Sequence, residues 1–298
     1  MNQVQDKKVL LTIFTPAYNR ANLLPRVFDS ICSQVHPDDP IEWLVIDDGS
    51  TDNTEAVLAG FADKRPDLVR FILVKNGGKH RAINLAAERA YGDWVMIVDS
   101  DDYLVNGSIN QVLETIRLVN NDLRIGLLRA LRQFPELGIE YSFEMPTNPC
   151  SHAEWLRSQH PIDTAEVIRR TALQMHPFPD ISGERFMAEG WLWYHLDRTH
   201  LTLFINSPWI ECVYQSEGLS ASSRCIRASS PCSAMEVYAA MLESILPWRL
   251  RVKASVNWWR YRHHANSQHK IAISEFRASR IFALPGWIMF LCDRFVIQ

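Results

Sequence analysis

Three aspartates, Asp99, Asp101 and Asp102, fall within four positions, interrupted by Ser100 and set directly behind the apolar run from Trp94 to Val98. Carboxylates held a few ångströms apart repel, and the repulsion is relieved when one takes up a proton or a cation joins them. Hard divalent ions such as Mg²⁺ and Mn²⁺ favour oxygen ligands, and Mg²⁺ commonly takes one or two carboxylates and completes its shell with phosphate oxygens. On this reading D-S-D-D is a metal site for a phosphate-bearing substrate. On the structural alternative, one aspartate caps the next helix and the others are solvated.

The elements that must position these carboxylates repeat one grammar. Short β-rich runs at Val9 to Phe14, Ile41 to Ile46, Val69 to Val74 and Trp94 to Val98 are each followed by turn residues and then by a helical pattern. Leu23, Leu24, Val27, Phe28 and Ile31 recur at helical spacing, as do Ala82, Ile83, Leu85, Ala86 and Ala90. Alternating strand and helix predicts an α/β fold with a mostly parallel sheet flanked by helices, since parallel strands need crossovers. In such sheets ligands sit beyond the carboxyl ends of the strands. The segments expected there are T-P-A-Y-N-R (Thr15 to Arg20), D-D-G-S-T-D (Asp47 to Asp52), K-N-G-G-K-H-R (Lys75 to Arg81) and D-S-D-D. Each alone is also good turn chemistry; a shared rim of carboxylates, cations and a tyrosine exceeds what turns require.

These four segments, in this order and spacing, resemble the N-terminal half of the family 2 glycosyltransferases, over roughly residues 8 to 115 with a weaker echo to about 220. The resemblance implies the GT-A fold, a Rossmann-like mixed, mostly parallel sheet, and an inverting enzyme that takes a sugar from a nucleotide-diphospho-sugar. It implies that Thr15, Pro16 and Tyr18 border the nucleobase, with the Tyr18 ring as a stacking face. Asp48, with Asp47, would accept a hydrogen bond from base or ribose, which favours a UDP-sugar. Lys79 and Arg81 would lie near the diphosphate. Asp99, Ser100 and Asp101 would meet the nucleotide-sugar, and Asp99, Asp101 and Asp102, the D-x-D region, a divalent Mn²⁺ or Mg²⁺. The chain departs from many relatives at Ala82-Ile83-Asn84, where they carry an arginine in the middle position.

Attack on the sugar carbon also needs a group to take the acceptor's proton. The segment Phe178 to Trp193 resembles the family's acceptor-side helix start, which makes Glu189 the expected base with Glu184 and Asp180 as alternatives. Relatives commonly show glutamate-aspartate where this chain has Glu189-Gly190. The structural alternative for Glu189 is an acidic helix start. Trp191 and Trp193 are candidates for an acceptor platform or for the core. The serine-rich stretch Val213 to Arg224 looks like the loop that follows the last core strand in some relatives, and folding over bound donor is the expectation for it here.

The whole chain limits the possibilities further. At 298 residues, 47% hydrophobic and 22% charged, it is an ordinary globular composition, and a formal charge of −3 argues against a whole-surface nucleic-acid footprint; no nucleic-acid partner is expected. Six scattered cysteines without C-x-x-C spacing and a polar opening from Met1 to Lys8 predict reduced thiols in a cytoplasmic protein. The stretch Ile281 to Cys292, about 12 residues, falls short of the roughly 20 needed to span a bilayer. From Leu246 to Arg280 eight Lys or Arg accompany one acid, Glu275, with Trp248, Trp258 and Trp259 interleaved. That mixture suits either peripheral docking on an anionic membrane at its inner face or a helical subdomain packed on the rest.

The expected organisation is a GT-A domain over 1–225, with a nucleotide-sugar half (1–115) and an acceptor half (116–225), then a basic, aromatic helical extension over 226–298. The expected activity is transfer of a sugar to a saccharide or lipid-linked saccharide acceptor in bacterial surface polysaccharide or glycolipid assembly. Two rivals are a sugar-phosphate nucleotidyltransferase and an inactive nucleotide-sugar-binding protein of the same fold.

Overall fold

The computed structural model describes residues 8–135, 146–158, 163–213, 223–265 and 279–296. Strand and helix alternate first: β1 (Leu11–Ala17), α1 (Leu24–Cys32), β2 (Ile41–Asp47), α2 (Thr54–Lys64), β3 (Val69–Leu73), α3 (Lys79–Arg89) and β4 (Trp94–Ile97). Then come β5 (Tyr103–Leu104), α4 (Ser108–Val119), β6 (Ile125–Gln133), α5 (His152–Ser158), β7 (Thr164–Arg169), α6 (Arg170–Met175), α7 (Gly190–Leu196) and β8 (Leu201–Glu211). Four helices close the chain: α8 (Ser223–Ser229), α9 (Pro231–Glu243), α10 (Trp248–His264) and α11 (Ala283–Val296).

The strands form one sheet in the order β3-β2-β1-β4-β7-β6-β8-β5. The first four are parallel, as the alternating pattern predicts, and β7 joins β4 antiparallel. The second half is mixed, with β6 antiparallel to β7, parallel to β8, and β5 antiparallel to β8. After β1 the chain builds outward through β2 and β3, then returns to place β4 on the other side of β1. This reversal is the switch point at which open α/β sheets leave a crevice. The four parallel strands therefore deliver all four polar segments to one edge.

β1 runs later than the expected Val9 to Phe14, through Pro16. Proline lacks an N–H and is excluded from a doubly paired strand interior. Here β4 has already ended opposite Phe14, so at Pro16 β1 has β2 alone as a strand neighbour.

Alternating side chains give the sheet two apolar faces. One, with Ile13, Trp43, Val45 and Met96, packs under α1, α2 and α4, where the Phe28 and Phe61 rings stack at 4.2 Å beside Trp43. The other, with Phe14, Leu44, Val95 and Ile97, packs under α3, α6 and α7, and its core continues without a break through Met235 and Tyr238 of α9 to Trp258 and Tyr261 of α10. Helices α9 and α10 are thus part of the main apolar core, and α11 packs on α10. All six cysteines are free thiols, and no helix of the described residues is long and apolar enough to cross a membrane.

One buried carboxylate joins the closing helices to the segment before α7. Glu184, 2% exposed, accepts from the backbone N–H groups of Cys232 (2.8 Å) and Ser233 (2.6 Å), two of the donors that the first turn of α9 leaves without helical partners. Glu184→Ala should lower stability by about 2 kcal/mol through loss of this charged cap, read as a lower urea midpoint at unchanged slope.

Candidate active site

The rim loops are stitched to one another before any ligand arrives. Asn19, at φ 53°, receives an N–H from Thr51 on its side chain (2.8 Å) and donates its own N–H to Ser50 Oγ (2.8 Å). Arg20 N–H donates to Thr54 Oγ1 (3.0 Å). Asp47 Oδ1 accepts from both the N–H (2.9 Å) and the hydroxyl (2.5 Å) of Ser50. Asp48 accepts from Gly77 N–H with one oxygen and from Gly78 N–H with the other, each at 2.7 Å. The second and third loops can lie so close because Gly49, at φ 77°, has no Cβ to meet Asn76 N at 2.7 Å, while Gly78, at φ 97°, leaves room for the Arg185 carbonyl oxygen, which a Cβ would meet at 1.9 Å.

Those bonds open the next helix with Lys79, whose ammonium reaches across the rim. It pairs with Asp99 at the end of β4 and with Glu189 at the N-terminal end of α7, the latter at 2.6 Å. Burial disfavours the charge, but the two carboxylates outweigh it and hold the Lys79 pKa above its ordinary value. Asp99 is likewise pushed down despite burial, by Lys79 and then Arg132. Lys79, Asp99 and Glu189 are each about a quarter exposed at 25%, 26% and 29%, so the trio is open to solvent at the rim.

The D-S-D-D carboxylates divide into different environments. Asp102 is buried, accepts from Arg132 Nη1 at 2.8 Å, and is raised to about 7 by burial, with Arg132 opposing and Asp99 and Asp101 adding to the rise. Asp101 is raised by burial and then by the charge of Asp99, and it has no ion pair among the described residues. Ser100 is buried. No group of three or more metal-ligating side chains forms among the described residues. A pair of oxygen donors still fits Mg²⁺ or Mn²⁺ that shares its shell with phosphates, and Asp101, crowded by the charge of Asp99 and in no ion pair among the described residues, is the carboxylate such an ion would relieve.

The remaining expected residues are distributed unevenly. Tyr18 stands 46% exposed at the rim, its ring face available. Pro16 is partly buried in β1. Thr15 turns its hydroxyl into the core to accept from Trp43 Nε1 at 3.0 Å and is fully buried, because its strand parity matches Ile13. Its side chain therefore lies away from the position beside a nucleobase that the resemblance implies. Arg81 is drawn off the rim to Asp180, with further bonds to the carbonyls of Glu184 (2.7 Å) and Ile181 (3.0 Å). Ile83 is buried in the core, and Asn84 clamps Phe178 by its N–H and C=O, both at 2.8 Å. Trp191 stacks on His195 at 3.8 Å, and Trp193 lies 4.8 Å from the Arg129 guanidinium, so both rings are used internally. Much of Val213 to Arg224 lies outside the described residues.

The sequence reading missed a buried polar cluster under the rim. Arg132 joins Asp102 to the Thr164 carbonyl (2.9 Å), and Arg129 lies 4.0 Å from Glu166 and 2.7 Å from His152 Nδ1. Since arginine can only donate, Nδ1 must accept, which fits a His152 held neutral by burial and then by the charge of Arg129. The available signal was charge inside apolar strands, R-A-L-R in β6 and T-A-E-V-I-R in β7, where burial is tolerated only with partners.

Glu166 makes this cluster sensitive to pH. Its ordinary pKa of 4.5 rises to about 7 through burial, with Arg132 and Arg129 opposing. The folded state therefore binds more protons between these values, and the contribution to stability is present below about 4.5 and lost as pH rises through about 7. Glu166→Gln should match the parent protein near pH 5 and lack its decline toward pH 8, a difference on the order of 2 kcal/mol, measured by urea denaturation at each pH.

Comparison with known proteins bears on the family and the fold. An uncharacterised glycosyltransferase of Mycoplasma pneumoniae is 32% identical over 115 residues, covering 38% of each chain. Poly(ribitol-phosphate) beta-N-acetylglucosaminyltransferase TarS of Staphylococcus aureus is 31% identical over 93 residues, covering 31% of this chain and 16% of that one. The chain thus spans well under two thirds of these relatives. The crystal structure of S. aureus TarS 1-349 superposes with a TM-score of 0.63 over 96% of this chain and 80% of that one at 16% identity. Glucosyl-3-phosphoglycerate synthase of Mycobacterium tuberculosis, solved with Mn²⁺, UDP and glucosyl-3-phosphoglycerate, gives a TM-score of 0.52 over 80% and 81% at 20% identity. Both likenesses carry the fold. The family model described as Glycosyl transferase family 2 matches residues 12–173, more than half the chain and all four rim segments, and the protein accordingly belongs to that family and has its GT-A fold.

Proposed function

We propose that this protein is an inverting glycosyltransferase that moves a sugar from a UDP-sugar to an acceptor hydroxyl with a divalent metal, Mn²⁺ or Mg²⁺. The observation that carries the reading is the Lys79 ammonium joined to both Asp99 and Glu189, which sets a donor-side carboxylate and an acceptor-side carboxylate on two sides of one cation. Tyr18 offers a stacking face for the base, and the Asp47 and Asp48 carboxylates border it with acceptors for a uracil or ribose donor group. Asp101, with Asp99 beside it, is the group to hold the metal. When bound, that ion offsets charge on the departing diphosphate. The complexes of S. aureus TarS with UDP-GlcNAc and of the mycobacterial synthase with UDP and Mn²⁺ support the donor and metal class.

In the reaction the acceptor oxygen bonds to the anomeric carbon from the face opposite the diphosphate. The sugar-to-phosphate C–O bond breaks with its electron pair leaving on the nucleoside diphosphate. Glu189 takes the hydroxyl proton, and Lys79 keeps its carboxylate turned toward the crevice. Glu184 and Asp180 are less suited to that role, since one caps α9 and the other pairs with Arg81. Asp101→Asn should abolish Mn²⁺-dependent thermal stabilisation by UDP-sugars. Glu189→Gln should keep that stabilisation and lower kcat by about 10²–10⁴-fold. Unchanged metal dependence in the first variant, or unchanged turnover in the second, would contradict the assignment.

The acceptor is proposed to be a saccharide or lipid-linked saccharide of a surface polymer, reached from the cytoplasmic face of the membrane. Ile281 (76% exposed), Leu284 (63%), Trp287 (44%) and Ile288 (51%) form an apolar stripe on α11 and the turn before it, with Trp248 (70%) exposed at the start of α10. Exposed Arg249, Arg251, Arg280 and Arg294 accompany them, and Asp293, the one acid of these two helices, is buried. This combination complements an anionic bilayer surface. Trp287→Ser with Ile288→Ser should reduce co-sedimentation with phosphatidylglycerol vesicles more than about tenfold; equal sedimentation would remove the membrane from the proposal.

A further inference from the structure

A cavity of about 250 Å³ opens among α8, α9, α10 and α11, away from the rim. Arg224, Arg227, Lys253 and Arg260 all line it. Arg260 is neutralised, donating to Asp293 at 2.6 Å through Nε and again through Nη2. Arg224, Arg227 and Lys253 have no carboxylate partner among the described residues, which leaves three uncompensated cations around one concavity. Arg227 Nε is moreover buried without a hydrogen-bond acceptor. A buried donor left unsatisfied is destabilising, more so when it is charged. The fold of these helices does not require that cost, because the neighbouring Tyr238 and Tyr261 rings stack at 5.9 Å and already close the apolar layer beneath.

We propose that this cavity binds a phosphate or phosphodiester group. Two guanidinium groups and an ammonium lining one hollow suit a tetrahedral anion with several acceptor oxygens better than a single-charge ion, and neighbouring like cations are relieved by the anion they share. The cavity also lies one helix from the acceptor side of the rim. On α9, Val237 borders Gly190, next to Glu189, while the adjacent Tyr238 lines the cavity. The phosphate is therefore carried either by a soluble acceptor or by the headgroup of an anionic lipid. That placement rests on Glu189 marking the acceptor side; the anion site itself does not.

The test titrates the full chain with inorganic phosphate, with acetate and chloride at matched ionic strength as controls, following melting temperature and calorimetric binding. Phosphate should stabilise the parent protein more than either control, and affinity should fall about tenfold for each cation removed in Arg224→Gln, Arg227→Gln and Lys253→Gln. Arg224 is exposed, so its variant keeps the packing of the helices and decides the matter even where Arg227→Gln unfolds. Equal effects of the three anions, or undiminished phosphate affinity in Arg224→Gln and Lys253→Gln, would overturn the proposal. Loss of phosphatidylglycerol vesicle binding along with phosphate binding in these variants assigns a lipid headgroup. Loss of phosphate binding with vesicle binding intact assigns a soluble phosphodiester. Asp101→Asn and Glu189→Gln should leave the cavity's phosphate affinity unchanged, so failure of the transfer mechanism and failure of this site are separately visible.

Discussion

The ammonium of Lys79 is the interaction on which the rest of the rim depends. It belongs to the first turn of α3, yet it holds Asp99 from β4 and Glu189 from the start of α7. Two carboxylates from opposite halves of the chain are thereby kept close in a site where they would otherwise repel. Because the trio is about a quarter exposed, solvent screens part of this attraction, and removing the ammonium would leave Asp99 and Glu189 as neighbouring like charges facing water. The same cation that permits this proximity also fixes where donor chemistry ends and acceptor chemistry begins in the proposed reaction.

Around this point the polar residues spend much of their bonding capacity on one another. Asp48 gathers the N–H groups that turn the chain into α3, Arg81 and Asn84 fasten the 178–184 segment against that helix, and Glu184 passes the connection on to α9. Arg132 occupies Asp102, and Lys79 and Arg132 together compensate Asp99, so Asp101 is left as the carboxylate without an ion pair among the described residues. The proposed reaction, with a doubly charged ion and a diphosphate, calls for one unsatisfied anion on a rigid frame. This arrangement supplies it by satisfying the others.

The closing helices are integral to the structure. The inner faces of α9 and α10 continue the apolar core of the sheet, α9 packs on α7, and α11 is carried on α10. One part of the surface these helices present is apolar with flanking arginines, and another part is a cationic hollow; both suit the anionic surroundings proposed for them, and Asp293 is the one acid of α10 and α11.

Much of the architecture was legible in sequence because its determinants are local. The period-two runs, the helical spacing between them and the turn residues behind each strand predict the parallel half sheet and the edge at which the polar segments meet. The like-charge cluster D-S-D-D marks a candidate site for the same reason. Strand parity and pairing across long separations were not legible. Whether Thr15 faced ligand or core depended on the register of β1 against β2, and whether Arg81 met a diphosphate or Asp180 depended on a segment 99 positions away. Arg129, Arg132 and Glu166 look like isolated charges in apolar strands until β6 and β7 are laid side by side. Sequence determines which chemistry is available, since side-chain type and near-neighbour spacing are written in it. The tertiary structure alone decides which of those groups are consumed in holding one another, because the attraction between charges depends on distance in space and on the water that folding removes.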